Sequence, residues 1–222
     1  MKSSRWTDHL LNFLAVILGV SLAFIISNKS EQARVNKEFE QNLEAILDEV
    51  ESDIYTFESY QIPDNKKKLN QMQETLQMIS NKVGEDSLNS KLTVFFDVNN
   101  YAPTNITINS LISSGKLDLI NDFELKRKIL AYQNTSEELT AQGKFQIDFL
   151  MDQVTPWFIR NSKFFVGVKR GWYLEDNSEA IVIFSLYTSF VASKIGKYES
   201  ALEEAEVLKD LINKYQLDKG LK

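Results

Sequence analysis

The side chains able to do chemistry in this sequence are carboxylates, lysines and hydroxyls, because it contains no cysteine and a single histidine, His9. That composition removes a thiolate nucleophile, metal sites built on paired histidines (the Glu-x-x-His pairs of di-iron bundles among them), and every triad that uses histidine as its base. The 31 acids leave room for a carboxylate-only hydrolase, yet no spacing singles out one pair. Gly-rich phosphate loops are missing too, since Gly115 and Gly171 stand alone. No catalytic, cofactor-binding or metal-ligating residue is nominated, no cofactor is expected, and the chain reads as non-enzymatic.

Three other groupings have a chemistry to weigh. Between Glu38 and Glu58 there are eight acids and no base, a run that could attract a cation or a basic partner but reads better as a solvated helix face. Ser113, Ser114 and the amides around Gly115 could hold a small anion. They fall at the C-terminal end of a short helix, however, where the dipole disfavours negative charge. The aromatics Trp157, Phe158, Phe164, Phe165, Trp172 and Tyr173 are candidates to line a pocket, with the covering of an open bundle end as the plainer role.

The elements that must position these residues begin with an anchor. Leu10 to Ile26 is a charge-free apolar run of 17 residues, reaching roughly 25 Å at the helical rise. It is long for the core of a signal peptide and exits into Ser27-Asn28-Lys29-Ser30-Glu31, with no small-x-small cleavage pattern. The expected division is a tail over 1–9, a transmembrane helix over 10–27 and a helical bundle domain over 28–222. Within the anchor, Ala15, Gly19, Ala23 and Ser27 recur every fourth residue and put small side chains on one face, as helices that pack closely in lipid do.

Lys2 and Arg5 precede the anchor, and Lys29, Arg34 and Lys37 follow it. A short basic tail before a first apolar helix favours tail-in, which places the protein in a bacterial inner membrane with the bulk of the chain periplasmic. Beyond Ser27 there are 23 basic against 30 acidic residues, a balance that repels nucleic acid.

Only three prolines and eight glycines interrupt the chain, and its apolar residues fall at helical spacing, so the expected class is all-α. Phe39, Leu43, Ile46, Val50, Ile54 and Phe57 predict a helix continuing from the anchor. Pro63 is expected to end it, and Asp64 to cap a second helix through Leu69, Met72, Leu76, Ile79 and Val83, with Gly84 as its stop. The two stripes are expected to pack as an antiparallel hairpin, with Lys66, Lys67 and Lys68 near the acids around Asp53 and Glu58. Lys91 to Phe96 fits either a buried helix or a short strand. A short helix from Thr107 to Ser114 closes at Gly115. Asn121 or Asp122 then caps a helix running towards Val154 and ending at Pro156. Ala180 to Ala192 reads as a central core helix rather than a second span, and the terminal stripe Leu202, Ala205, Leu208, Ile212 follows Gly196, a candidate bend. The sum is a soluble antiparallel bundle with long helices, coiled-coil-like in its packing, above a single-pass anchor.

One stretch resembles a known family. Ser110-Leu111-Ile112-Ser113-Ser114-Gly115-Lys116-Leu117-Asp118-Leu119-Ile120, followed by the helix bearing Leu125-Lys126-Arg127-Lys128 and preceded by the anchor, is similar to an uncharacterised family of small single-pass membrane proteins of Bacteroidota-type bacteria. The similarity is best over the anchor and the middle segment and loose beyond. It implies an anchored helical protein and no activity. The expected function is a non-enzymatic accessory or interaction protein of the cell envelope, packing against another membrane protein or its own copies. The alternative is a ligand-sensing helical bundle signalling through a separate partner.

Overall fold

The structure, a computed structural model, describes residues 4–82, 88, 91–120, 122–161 and 178–219. Every regular element among them is helical, and none is a strand. Contacts divide the chain into two compact units, Met1–Ala45 and Ile46–Lys222.

The first unit belongs to helix α1 (Ser4–Thr56). Each residue from Leu10 to Ile26 is exposed on it, and a Cβ built on Gly19 would meet nothing within 4 Å. Leaving so many large apolar side chains in water forgoes about 1.5–3 kcal/mol apiece relative to burial. By length and composition, two helical stretches suffice to cross a membrane. The most apolar window within His9–Ser80 has mean hydropathy 2.5 and is 0% buried, whereas that of Ser178–Asp218 has 1.3 and is 39% buried.

In the second unit Ile46, Val50 and Ile54 form a buried stripe along the end of α1, which Phe57 continues just beyond it. The expected break at Pro63 does not occur. A π-turn, Phe57–Gln61, follows α1 directly, and helix α2 (Ile62–Ser80) follows the π-turn, with Thr56, Gln61 and Ile62 all in right-handed helical geometry. Because one helical run carries both stripes, they do not fold back as a hairpin at Pro63.

Proline is tolerated there for two reasons. It occupies the first turn of α2, where its missing N–H matters least, and the wide turn before it relieves the ring's clash with the carbonyl four residues back. The same device recurs further on. Helix α3 (Ile106–Ser113) is followed by Gly115 at φ +70° and a 3-10 turn, Lys116–Leu119. Asp122 then caps helix α4 (Phe123–Phe149), accepting from the Leu125 amide at 3.0 Å. A second π-turn, Leu150–Val154, leads into α5 (Thr155–Asn161), so Pro156 does not end the helix either.

Buried residues step by four three times across each π-turn: Asp53, Phe57, Gln61, Asn65, and again Gln146, Leu150, Val154, Phe158. Twelve residues at about 100° each overshoot three turns by about 120°, so an unbroken α-helix would carry such a stripe off its buried face. The widened turns hold it in place.

Helix α6 (Ser178–Asp218) runs through Gly196 without a break and packs against both α2 and α4. Its apolar start is core, as expected: Ala180, Phe184, Tyr187 and Val191 are buried. Lys91 to Phe96 resolves as a 3-10 turn, Thr93–Phe96, which presents Phe95 to the core. The Phe95 ring stacks on Phe184 with centroids 4.3 Å apart, and Trp157 meets Phe184 edge-on at 4.9 Å. Phe184→Ala should therefore cost about 3–5 kcal/mol in urea unfolding of the full-length chain. A loss below about 1 kcal/mol would contradict this account of the core.

Candidate functional site: a buried polar layer around residues 97–105

The 3-10 turn hands over to a stretch of non-helical backbone, residues 97–105, which lies half-buried. Backbone N–H and C=O groups without a helical ladder need other partners once water is excluded. Side chains from several helices supply them. Lys194 of α6 donates from Nζ to the Asn99 carbonyl at 2.9 Å and to Asn100 Oδ1 at 3.0 Å. The Tyr101 amide donates to the Tyr198 hydroxyl at 2.8 Å. Asn100 Nδ2 donates to the Gly143 carbonyl at 3.1 Å, and a Cβ on Gly143 would stand 3.3 Å from that same nitrogen, so the small residue makes the approach possible. Gln61 Nε2 donates to Asn99 Oδ1 at 3.2 Å. The segment closes at Asn105, whose left-handed backbone (φ 48°) suits asparagine and whose amide donates to Ser136 Oγ at 2.7 Å.

Two members of the acidic run take part. Asp53 is buried and accepts from both the Tyr101 and the Tyr132 hydroxyls, the latter at 2.7 Å. Burial pushes its carboxyl above the usual range and the nearby Glu49 adds to this, against the pull of the two hydroxyls. Glu49 accepts from the Thr107 amide at 3.0 Å and its hydroxyl at 2.7 Å, tying down the start of α3. The expectation of a wholly solvated acidic face thus fails at these two residues.

Two lysines sit inside the layer. Lys194 is 2% exposed, and burial first, then Lys68, push its ammonium down to about 7 against the opposing pull of Asp97. Lys68 of α2 is 4% exposed, and its Nζ has no hydrogen-bond partner among the described residues. Its closest ring, Tyr187, is centred 6.0 Å away. Burial lowers its affinity for a proton, and Asp97 counters in part. Lys68 lines a cleft of about 300 Å³ whose other walls are polar or charged, Asp64, Asn65, Asp97 and Asn99 among them. A second cleft of about 320 Å³ runs along α4 beside Asn105 and Ser136.

Of the residues nominated from sequence, Ala15, Gly19, Ala23 and Ser27 lie exposed along α1. Trp157 and Phe158 are buried, 1% and 4% exposed, pack against Phe184 and border neither of these two clefts. Phe164, Phe165, Trp172 and Tyr173 fall outside the described residues, as do Val83 and Gly84. No cluster of three or more histidine, cysteine or acid side chains among the described residues could hold a metal ion.

The buried lysines had a signal that periodicity of apolar residues does not capture. Three consecutive lysines span about 200° of helix, so the outermost of them lies close to the edge of the apolar face. Lys66 instead points to an exposed pair with Glu199 at 2.6 Å. Lys194 falls in the apolar register of Tyr187, Val191 and Tyr198.

Lys194 sets a stability–pH relation. Its folded pKa near 7 lies below the unfolded value of about 10.4, so between these the unfolded chain binds more protons and stability rises with pH. Above about 10 the sign reverses, because burial and Asp53 hold the Tyr101 and Tyr132 hydroxyls protonated in the folded state alone. The melting temperature should climb from pH 7 to about 9.5 and then fall, and Lys194→Met should flatten the climb. A wild-type profile that declines steadily from pH 7 would refute the assignment.

Comparison of the chain with protein-family models, with curated proteins and with solved structures finds no match.

Proposed function

We propose that this chain is a single-pass, membrane-anchored accessory protein of a bacterial envelope, without enzymatic activity of its own. One observation carries the reading: a charge-free run from Leu10 to Ile26 stands fully exposed on a helix whose far end, from Ile46 on, is buried in a helical unit. Lipid removes the cost of that exposure, with 10–27 spanning and 28–222 forming a soluble antiparallel bundle on the periplasmic side.

An anchor needs no special face, but this one has Ala15, Gly19, Ala23 and Ser27 aligned and exposed. Close backbone approach to another membrane helix or a second copy is the use such a face has in lipid. A ligand-sensing role through a separate partner is the second reading, favoured by the unpartnered ammonium of Lys68 beside a cleft.

Gly19→Leu should reduce the mass of the detergent-stable assembly, measured by light scattering on gently extracted protein. An unchanged mass would remove the packing face from the proposal. Orientation can be tested cleanly because the chain has no cysteine of its own. Glu203→Cys, on the exposed side of α6, should react with a membrane-impermeant maleimide in intact spheroplasts. Labelling only after lysis would place the bundle in the cytoplasm.

A further inference from the structure

We propose that the cleft between α2 and residues 97–99 binds a small monovalent carboxylate that carries an O–H or N–H donor beside its charge, with Lys68 as the counter-charge. The inference does not depend on membrane attachment, since every residue it uses lies in the second unit.

The first step is the charge. Lys68 is buried and unpartnered, an arrangement costing several kcal/mol unless something compensates it. Its neighbour in the layer, Lys194, is settled by the Asn99 carbonyl and Asn100 Oδ1. Nothing equivalent reaches Lys68, and Tyr187 offers only a ring at 6.0 Å. A lysine stem is flexible enough to turn its ammonium from beneath the cleft into it. An anion there would replace the missing partner.

The second step is the donor. Asn65, 1% exposed, borders the same cleft, and while its Nδ2 donates to the Gln61 carbonyl at 2.7 Å, its Oδ1 accepts from nothing among the described residues. A bare anion would leave that acceptor unsatisfied. A ligand hydroxyl or ammonium would satisfy it.

The third step is the limit on charge and size. Asp64 and Asp97 face Lys67 and Lys68 across the same lining, which is therefore neutral overall, and a monoanion or zwitterion leaves less uncompensated charge there than a dianion. About 300 Å³ is at the small end of ligand sites. An α-hydroxy or α-amino carboxylate meets all three conditions.

The test is thermal unfolding of the full-length protein in detergent at constant ionic strength, with glycolate, glycine, acetate, inorganic phosphate and chloride as probes. Glycolate or glycine should raise the melting temperature saturably, and acetate, phosphate and chloride should raise it far less. Comparing glycolate with glycine tells whether the donor read is a hydroxyl or an ammonium. Lys68→Met should erase the response while raising the ligand-free melting temperature, because an unpaired buried charge has been replaced by an apolar chain of similar volume. A lysine with only a structural role would lower that temperature instead. No response to any probe, or equal responses to glycolate and acetate in the wild type, overturns the proposal even if the variant does not fold. So does a response that survives in Lys68→Met.

Discussion

The structure depends on satisfying nine residues of non-helical backbone inside a helical unit. Residues 97–105 bring peptide groups without a helical ladder into a half-buried position among helices, and the surrounding helices answer with polar side chains at positions where a bundle would ordinarily place leucine. Lys194, Tyr198, Gln61 and Ser136 come from three different helical runs, and each meets the same short stretch. Gly143 is small because Asn100 stands against it. Much of what is unusual about the core composition follows from this one requirement.

Polar groups brought inside in this way do not all come to rest equally. Lys194 and Asp53 each have two partners, and buried charges with partners cost less than buried charges without. Lys68 has the burial and not the partners. The apolar clusters on either side supply the surplus that tolerates it: Phe95, Trp157 and Phe184 on one side, Phe57, Leu139 and Tyr198 on the other. A core organised wholly by apolar contact could slide between registers at little cost. Hydrogen bonds that run from named side chains to named backbone atoms fix one register.

The apolar stripes made the helical class legible, along with the anchor-like start of α1, the stop at Gly115, the cap at Asp122 and the core role of the first turns of α6. The prolines misled, because proline is ordinarily a helix breaker and the π-turns that accommodate it leave no composition signal. Their trace is in the spacing, three successive steps of four. The candidate site was harder to see. On α2 the apolar residues Met72 and Ile79 are buried as the stripe requires, but Leu69 and Leu76 are only half-buried, and Asn65, Lys68 and Thr75 share the buried face. Hydrophobic periodicity finds the apolar edge of such a helix and misses its polar centre. Nothing local marks residues 97–105 as interior, since that follows from the helices around them.

The π-turns also say something about which changes in chain length this fold admits. A π-turn is an α-helix holding one residue more than its ladder needs. Deleting one residue from Phe57–Gln61 or from Leu150–Val154 would let the hydrogen bonds close more regularly than before, and a helix considered alone would gain by it. Everything beyond the deletion would then turn by about 100° relative to everything before it. The face carrying Asn65 and Lys68 would leave the interior, and the face carrying Trp157 would leave it in the other case. Insertions and deletions should therefore be refused at these two places, where the extra residue keeps two halves of one helix facing the same way, as they should be in the hydrogen-bonded connection 97–105.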